Sequence, residues 1–412
     1  MTARSTPRKP KATSGSSSGG RLHGVDAARG LALLGMMATH LLPIFESDST
    51  LTPTWIGLVF SGRASALFAV LAGVGLALST GREIPRQGSA LGTARRGVAM
   101  RALVIAVIGL TLGSLEVNLA IILVNYAFLF LCALPFLGLR AKPLFGWALG
   151  WILVSPVLAY LTRPWLLAAD PPLQLGHNPV WDDLATPGAL LADVFFTGYY
   201  PVLQWISYFL VGLAVGRLSL ASKAMPVILL ASGAVVAIAA KALGTFLMED
   251  AGGRQAVEAV LADPRYPVES LLQVNMTGVD QQGSWWWLAS AAPHSGTTLD
   301  LLHTASTAVA VLGVFLLIGV LARWLNLDLL LPLRGAGAMT LTLYTAHVWA
   351  AAAAYRQPLP PGWTDDGVYF AHAATAVLVG MIFIALNWRG PLEWLAHAAR
   401  NLGGQEPAAV RK

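Results

Sequence analysis

Long apolar runs alternate along this chain with short polar interruptions, most of them too brief to fold as separate domains. A run of about 20 apolar residues is what an α-helix needs to cross a bilayer. Read this way, the pattern predicts about ten spans, at 25–45, 54–79, 97–115, 118–138, 143–162, 189–216, 224–247, 299–322, 335–355 and 367–388. The expected fold is all-α, a polytopic bundle of membrane helices. Residues 1–20 are Ser, Gly, Lys, Arg and Pro with almost no apolar content, the composition of a disordered basic tail. A short tail follows at 404–412, which leaves 21–403 as the membrane domain, with its longest outer loop at 248–298. The first apolar run carries His40 and has no small-residue cleavage site after it, so it reads as a retained span, not a signal peptide. Neither an internal repeat nor a matched pair of broken helices is visible.

Composition sharpens this picture. Of 412 residues 56% are hydrophobic and 12% charged, about half the charge of an ordinary soluble domain. The formal charge of +6 is carried by loops, so membrane topology explains it better than nucleic acid does. Arg82, Arg86, Arg95, Arg96, Arg140, Lys142, Arg217, Lys223, Arg323, Arg334, Arg389 and Arg400 fall on the side of both tails. Glu46, Asp48, Asp170, Asp182, Asp183, Glu249, Asp250, Asp365 and Asp366 fall on the other. Arg163, Arg254, Arg265 and Arg356 also lie there and weaken the bias without reversing it. The positive-inside rule then places both termini in the cytoplasm. The Ala-, Gly- and Arg-rich composition, taken together with the family resemblance given below, suggests a bacterial plasma membrane. Cys132 is the single cysteine and reads as a small apolar residue.

The candidate chemistry begins on the first span. Ten residues lie between Arg29 and His40. At about 100° and 1.5 Å per residue the two project within roughly 20° of each other and lie roughly 16 Å apart along the axis. A guanidinium near one surface and an imidazole near the other can bracket a long ligand. His303, with Asp300 one turn before it, His347, with Tyr344 one turn before it, and His372 fall in the same outer third. Asp193, Tyr199, Tyr200 and Trp205 complete a polar cluster at a depth where ionisable groups are costly. Plainer readings stand beside these. His372 and Tyr199 fit interfacial anchors, Asp300 and Asp26 fit helix caps, and His303 and His347 can be satisfied by neighbouring helices. Arg63 reads as lying well inside the second span, facing a carboxylate, a helix end or an anionic ligand. Trp285, Trp286 and Trp287 read first as an interfacial element, with a sugar-stacking surface as the sharper alternative. No metal-ligand spacing is evident.

The stretch Val25-Asp26-Ala27-Ala28-Arg29-Gly30-Leu31-Ala32, with its Arg-x10-His pattern to His40, resembles the transmembrane acyltransferase superfamily. That group includes the heparan-α-glucosaminide N-acetyltransferases and bacterial O-acyltransferases. Residues 61–73 (SGRASALFAVLAG) and 335–347 (GAGAMTLTLYTAH) resemble its YeiB-like branch. The resemblance implies transfer of an acyl group, acetyl above all, from cytoplasmic acyl-CoA to an extracytoplasmic glycan, glycolipid or other envelope acceptor. It implies that Arg29, with Arg95, Arg96 and Arg101, and with Arg63 further along, meets the coenzyme. His40 then serves as general base or as nucleophile, and the residues do not separate the two routes. Asp300, His303 and His347 are candidates for orienting it, and Tyr199, Tyr200, Trp205 and Tyr344 for holding substrate. The large luminal domain of the heparan-type enzymes is missing, which argues against heparan itself as acceptor. A proton-coupled transporter or flippase is the alternative, and a catalytically dead scaffold a third reading. Homo-oligomerisation is compatible with the sequence and undecided by it.

Overall fold

Small residues decide how the helices of this protein meet. A computed structural model describes residues 22–47, 51–115, 117–170, 173–261, 267–276, 278–356, 359 and 361–404. The N-terminal tail and all of the C-terminal tail but Gly404 lie outside the described residues. The helices are α1 (His23–Leu41), α2 (Trp55–Phe60), α3 (Arg63–Ser79), α4 (Gly88–Gly113), α5 (Leu123–Cys132), α6 (Ala141–Leu167), α7 (Pro187–Ala192) and α8 (Val202–Gly216). They continue as α9 (Met225–Thr245), α10 (Gly253–Glu258), α11 (Val268–Val274), α12 (Thr298–Leu325), α13 (Leu331–Ala338), α14 (Thr340–Tyr355), α15 (Asp365–Ala385) and α16 (Pro391–Gly403). The architecture is all-helical, as the apolar pattern predicts.

Among the described residues six helices are long and apolar enough to cross a membrane: α2 with α3, α4, α6, α9 with the turn after it, α12 and α15. A seventh arises if Pro187–Thr197 and Val202–Gly216, bent by 59°, count as one span. The remaining expected spans correspond to α1, to the ten-residue α5 and to the pair α13 and α14. Three of the expected spans are therefore broken, where the sequence pattern reads as continuous. Hydropathy does not register a break made of small or apolar residues. The first lies at Ser61-Gly62, where Gly62 has φ +69°, and it makes Arg63 the first residue of α3, inside the 25-residue stretch Trp55–Ser79. The third lies at Met339.

The core of the bundle is the packing of α1 against α13, α12 and α3, and of α3 against α8. At the α1–α13 crossing a side chain at Gly337 would meet the Asp26 carbonyl, and one at Gly30 the Leu333 carbonyl. On the other flank of α13, Gly335 and Gly380 bring α15 equally close. Backbone-to-backbone approach of this kind is how membrane helices associate without a hydrophobic driving force. The outer loop builds a small core of its own around Trp287, 1% exposed, whose indole N–H donates to the Gln282 carbonyl at 2.9 Å. Trp285 lies 57% exposed with its ring on Tyr160. The three tryptophans thus divide between loop core and surface.

Replacing Gly337 with Val should destabilise the detergent-solubilised protein by about 1–3 kcal/mol or more, because the obstruction is backbone and cannot repack. Gly150→Ala, where the new methyl meets nothing within 4 Å, should leave thermal unfolding unchanged or raised.

Candidate functional site

The face of α1 that carries Arg29 and His40 looks into a cavity of about 860 Å³. Asp26, Arg29 and Met36 line it in register, and His40 stands one turn beyond Met36 on the same face. Arg82, Arg101, Arg334, Arg389 and Arg400 join Arg29 in the wall, with His23 and His397. Two carboxylates oppose these six guanidinium groups, and both are engaged. Asp26 pairs with Arg29 at 3.2 Å. Glu393, from the amphipathic α16, accepts from the Leu341 and Thr342 backbone N–H groups at 2.6 and 3.2 Å and from the Thr342 hydroxyl at 2.6 Å. It therefore caps α14 where that helix begins at the cavity wall.

Arg101, Arg334 and Tyr344 each present a buried polar atom without a partner in this wall, and of the two arginines only Arg334 has an ion pair, with Asp328. The Arg101 Nε is sealed from solvent without a hydrogen-bond partner, and no ion pair reaches its guanidinium among the described residues. Its one close neighbour of note is the Phe130 ring, 5.1 Å away. Arg217 shows the contrast. It is 3% exposed and donates to the Ala77, Arg82 and Leu137 carbonyls and to the Thr80 hydroxyl, at 2.7 to 3.0 Å. Nε is unpartnered in both, but the terminal nitrogens of Arg217 staple the fold together while the Arg101 guanidinium lines the cavity.

At the far end of the cavity Tyr344 is 3% exposed. Its hydroxyl lies near the Ile122 backbone N–H but meets no hydrogen-bond partner among the described residues. Its ring centroid lies 6.2 Å from that of His40. His40 Nδ1 is 3.1 Å from His347 Nε2, and His347 Nδ1 is 2.8 Å from His372 Nδ1. Three histidines from α1, α14 and α15 thus stand in a row. Among the described residues no group of His, Cys, Asp or Glu is arranged to hold a metal ion.

A second polar group lies in the outer loop and the helices beneath it. His294 Nδ1, Gln204 Oε1 and Ser207 Oγ are all buried without partners. The His294 ring lies 5.7 Å from Tyr200 and 6.0 Å from Trp205. Burial, and then the Arg63 guanidinium, push this loop imidazole down to about 4. Asp300 accepts from the Gly296 N–H at 3.0 Å and the Thr304 hydroxyl at 2.8 Å, while Thr297 caps the same helix.

The structure brings together Arg29, Arg101 and Tyr344 in the cavity, and sets His40 and His347 beyond it. It places other candidates elsewhere. Arg63 donates to the Leu58 carbonyl at 2.8 Å and lies on the Asp300 side, away from the cavity. Arg95 donates to the Leu134 and Pro135 carbonyls, and Arg96 to Gly403 and Thr93. His303 Nδ1–H donates to the Ala237 carbonyl, 2.9 Å away, and His303 lines a separate apolar groove with Lys241. Neither Asp300 nor His303 orients His40. Tyr200 and Trp205 stand beside His294, while Tyr199 packs on Gly176 at the rim. The row also includes His372, for which the sequence suggested an interfacial anchor. Arg400, His397 and Glu393 arrive on α16, which no apolar run announces.

No curated protein matches the chain. The family model described as heparan-alpha-glucosaminide N-acetyltransferase, catalytic, matches residues 21–245. That stretch holds Arg29, His40 and Arg101 but ends before Tyr344 and His347. A match over more than half of its length shows that the chain belongs to the heparan-alpha-glucosaminide N-acetyltransferase catalytic family.

Proposed function

We propose that this membrane protein transfers an acyl group, acetyl first, from cytoplasmic acyl-CoA to a hydroxyl or amine on an envelope glycan or glycolipid at the outer face. The observation that carries the reading is the unpaired Arg101 in a wall of six arginines around a cavity that runs to within one turn of His40. Phosphates of a coenzyme satisfy guanidinium donors with charge-assisted hydrogen bonds. The volume falls in the usual range of about 300–1,000 Å³ for a cofactor site. The arginine-rich end is the cytoplasmic one by the loop charges, so the adenine nucleotide stays there and the pantetheine arm follows α1 towards Tyr344.

His40 takes the acceptor's proton on Nε2 as attack on the thioester begins, or is itself acylated there. The buried, unpaired Tyr344 hydroxyl is the donor nearest to the reacting carbonyl. His294, Gln204, Tyr200 and Trp205 offer an aromatic and polar surface for the acceptor. Because the family's name specifies a glucosaminide and an N-acetyl product, glucosamine is a suitable first acceptor probe.

Three outcomes are expected from purified protein with acetyl-CoA. His40→Ala should abolish turnover while leaving acetyl-CoA binding within about twofold, as loss of a reacting group does. Arg101→Gln should weaken acetyl-CoA binding about tenfold to a hundredfold, measured by calorimetry, since a charge-assisted contact is worth about 1.5–3 kcal/mol. The same Arg101→Gln protein, free of ligand, should melt no lower than wild type, because the change removes an uncompensated buried charge. If folded wild type neither binds nor consumes acetyl-CoA, the acyl-transfer reading is wrong and a proton-coupled transporter takes its place.

A further inference from the structure

We infer that His40, His347 and His372 form a proton relay that loads and unloads the substrate-facing nitrogen of His40, an inference that rests on the acyl-transfer reading above. Each ring sits on a different helix, and His347, 3% exposed, spends both of its nitrogens on the other two rings. A histidine held only for structure is satisfied more simply. His303 shows how, with Nδ1 on the Ala237 carbonyl one helix away. The His40 and His347 rings lie near-parallel at 13° with centroids 5.3 Å apart, and the His347 and His372 rings meet edge-on at 86° and 5.0 Å. His372 is half-buried, so the row runs from the inner site to the protein surface. Exposed Asp365 lies two turns before His372 on the same face of α15, a carboxylate placed to gather protons at the exit.

One arrangement of protons satisfies both ring-to-ring bonds. His40 Nδ1–H donates to His347 Nε2, His347 Nδ1–H donates to His372 Nδ1, and His372 Nε2 carries the outermost proton. His40 Nε2 is then bare and basic. In the first stroke the acceptor's O–H or N–H proton moves to His40 Nε2. The Nδ1 proton of His40 passes to His347 Nε2, that of His347 Nδ1 to His372 Nδ1, and His372 Nε2 releases one to water. The acceptor lone pair forms the new C–O or C–N bond as the thioester C–S bond breaks, and sulfur leaves with the electron pair. In the second stroke His40 Nε2–H protonates the thiolate, every proton steps back, and His372 takes one from water. No net proton is gained or lost. An acylated His40 uses the same path, because acylation at Nε2 must shed the Nδ1 proton. His347 and His372 touch no substrate and act as positioning residues that carry charge for His40.

The test uses purified full-length protein and acetyl-CoA, with water as the acceptor probe. His347→Gln should lower kcat about a hundredfold and His372→Ala about tenfold, with KM for acetyl-CoA unchanged, in the range of general acid–base effects. Added imidazole should restore His372→Ala, whose site opens to solvent. The proton inventory in mixed H2O and D2O should bow for wild type and become linear in the variant. Alongside, ¹⁵N-histidine NMR should show N–H···N couplings linking His40 to His347 and His347 to His372. Wild-type kcat, no imidazole effect and an unchanged inventory in His372→Ala would overturn the relay. If wild type leaves acetyl-CoA intact, the acyl-transfer reading falls and the relay is judged on the couplings alone. Serial couplings through His347 retain it as a proton path, and their absence removes it.

Discussion

The whole arrangement hangs on one short helix held at backbone contact on two sides. α13 meets α1 where Gly30 and Gly337 cross and meets α15 where Gly335 and Gly380 cross, and none of these positions accepts a side chain. Those crossings fix the relative height and rotation of three elements at once. α1 brings His40, α15 brings His372, and α14, continuing from α13 after the break at Met339, brings His347. Hydrogen bonds of 3.1 and 2.8 Å between rings on three helices tolerate little sliding, so the glycine contacts are a precondition for the row. The Glu393 carboxylate supplies the remaining restraint by gripping the first turn of α14.

The two kinds of buried arginine in this protein separate stability from function. Arg217 repays its desolvation with four oxygen acceptors and joins the end of α3 to the segment after α5. Arg101, by contrast, is half-buried on the cavity wall with the Phe130 ring as its close neighbour and no oxygen acceptor among the described residues. Burying an unpaired charge costs several kcal/mol, so a ligand that brings negative charge into the cavity recovers what the apo protein forgoes. The same logic explains why both carboxylates in the wall are tied down. A free Asp26 or Glu393 would neutralise the field that the arginines set up.

How much of this was readable in the chain depends on which order of structure a feature belongs to. The shared face of Arg29 and His40 follows from helical periodicity alone, and the cavity indeed runs along that face. The all-helical membrane fold follows from the apolar runs. The breaks were not readable, because Ser61-Gly62 and Met339 sit inside stretches that hydropathy scores as continuous. Arg63 does lie inside the second span, and what the pattern hid is that it opens α3 there. Arg95 and Arg96 looked equivalent to Arg101 by position on the same side. Their carbonyl partners come from the residues after α5 and from the end of α16, and only packing supplies those. His372 falls in the first half of α15, but position along a helix says nothing about rotation, and rotation decides whether it meets His347.

The breaks carry a physical argument of their own. Irregular backbone at membrane depth is tolerated only where protein covers it or where it lines a cavity, since the freed N–H and C=O groups have no water to meet. Here the break before α3 is covered by Pro293 and His294. The bend before α8 is held by Asn125, which donates to the Tyr200 carbonyl at 3.0 Å. The break at Met339 is closed by Glu393. Two of the three therefore lie beside His294 and Tyr200, and the third opens into the arginine-lined cavity. A bundle of unbroken helices would pack more simply but would bury the space between those two regions. The discontinuities keep polar side chains and room together between those two regions, which is the space that the proposed acyl transfer requires.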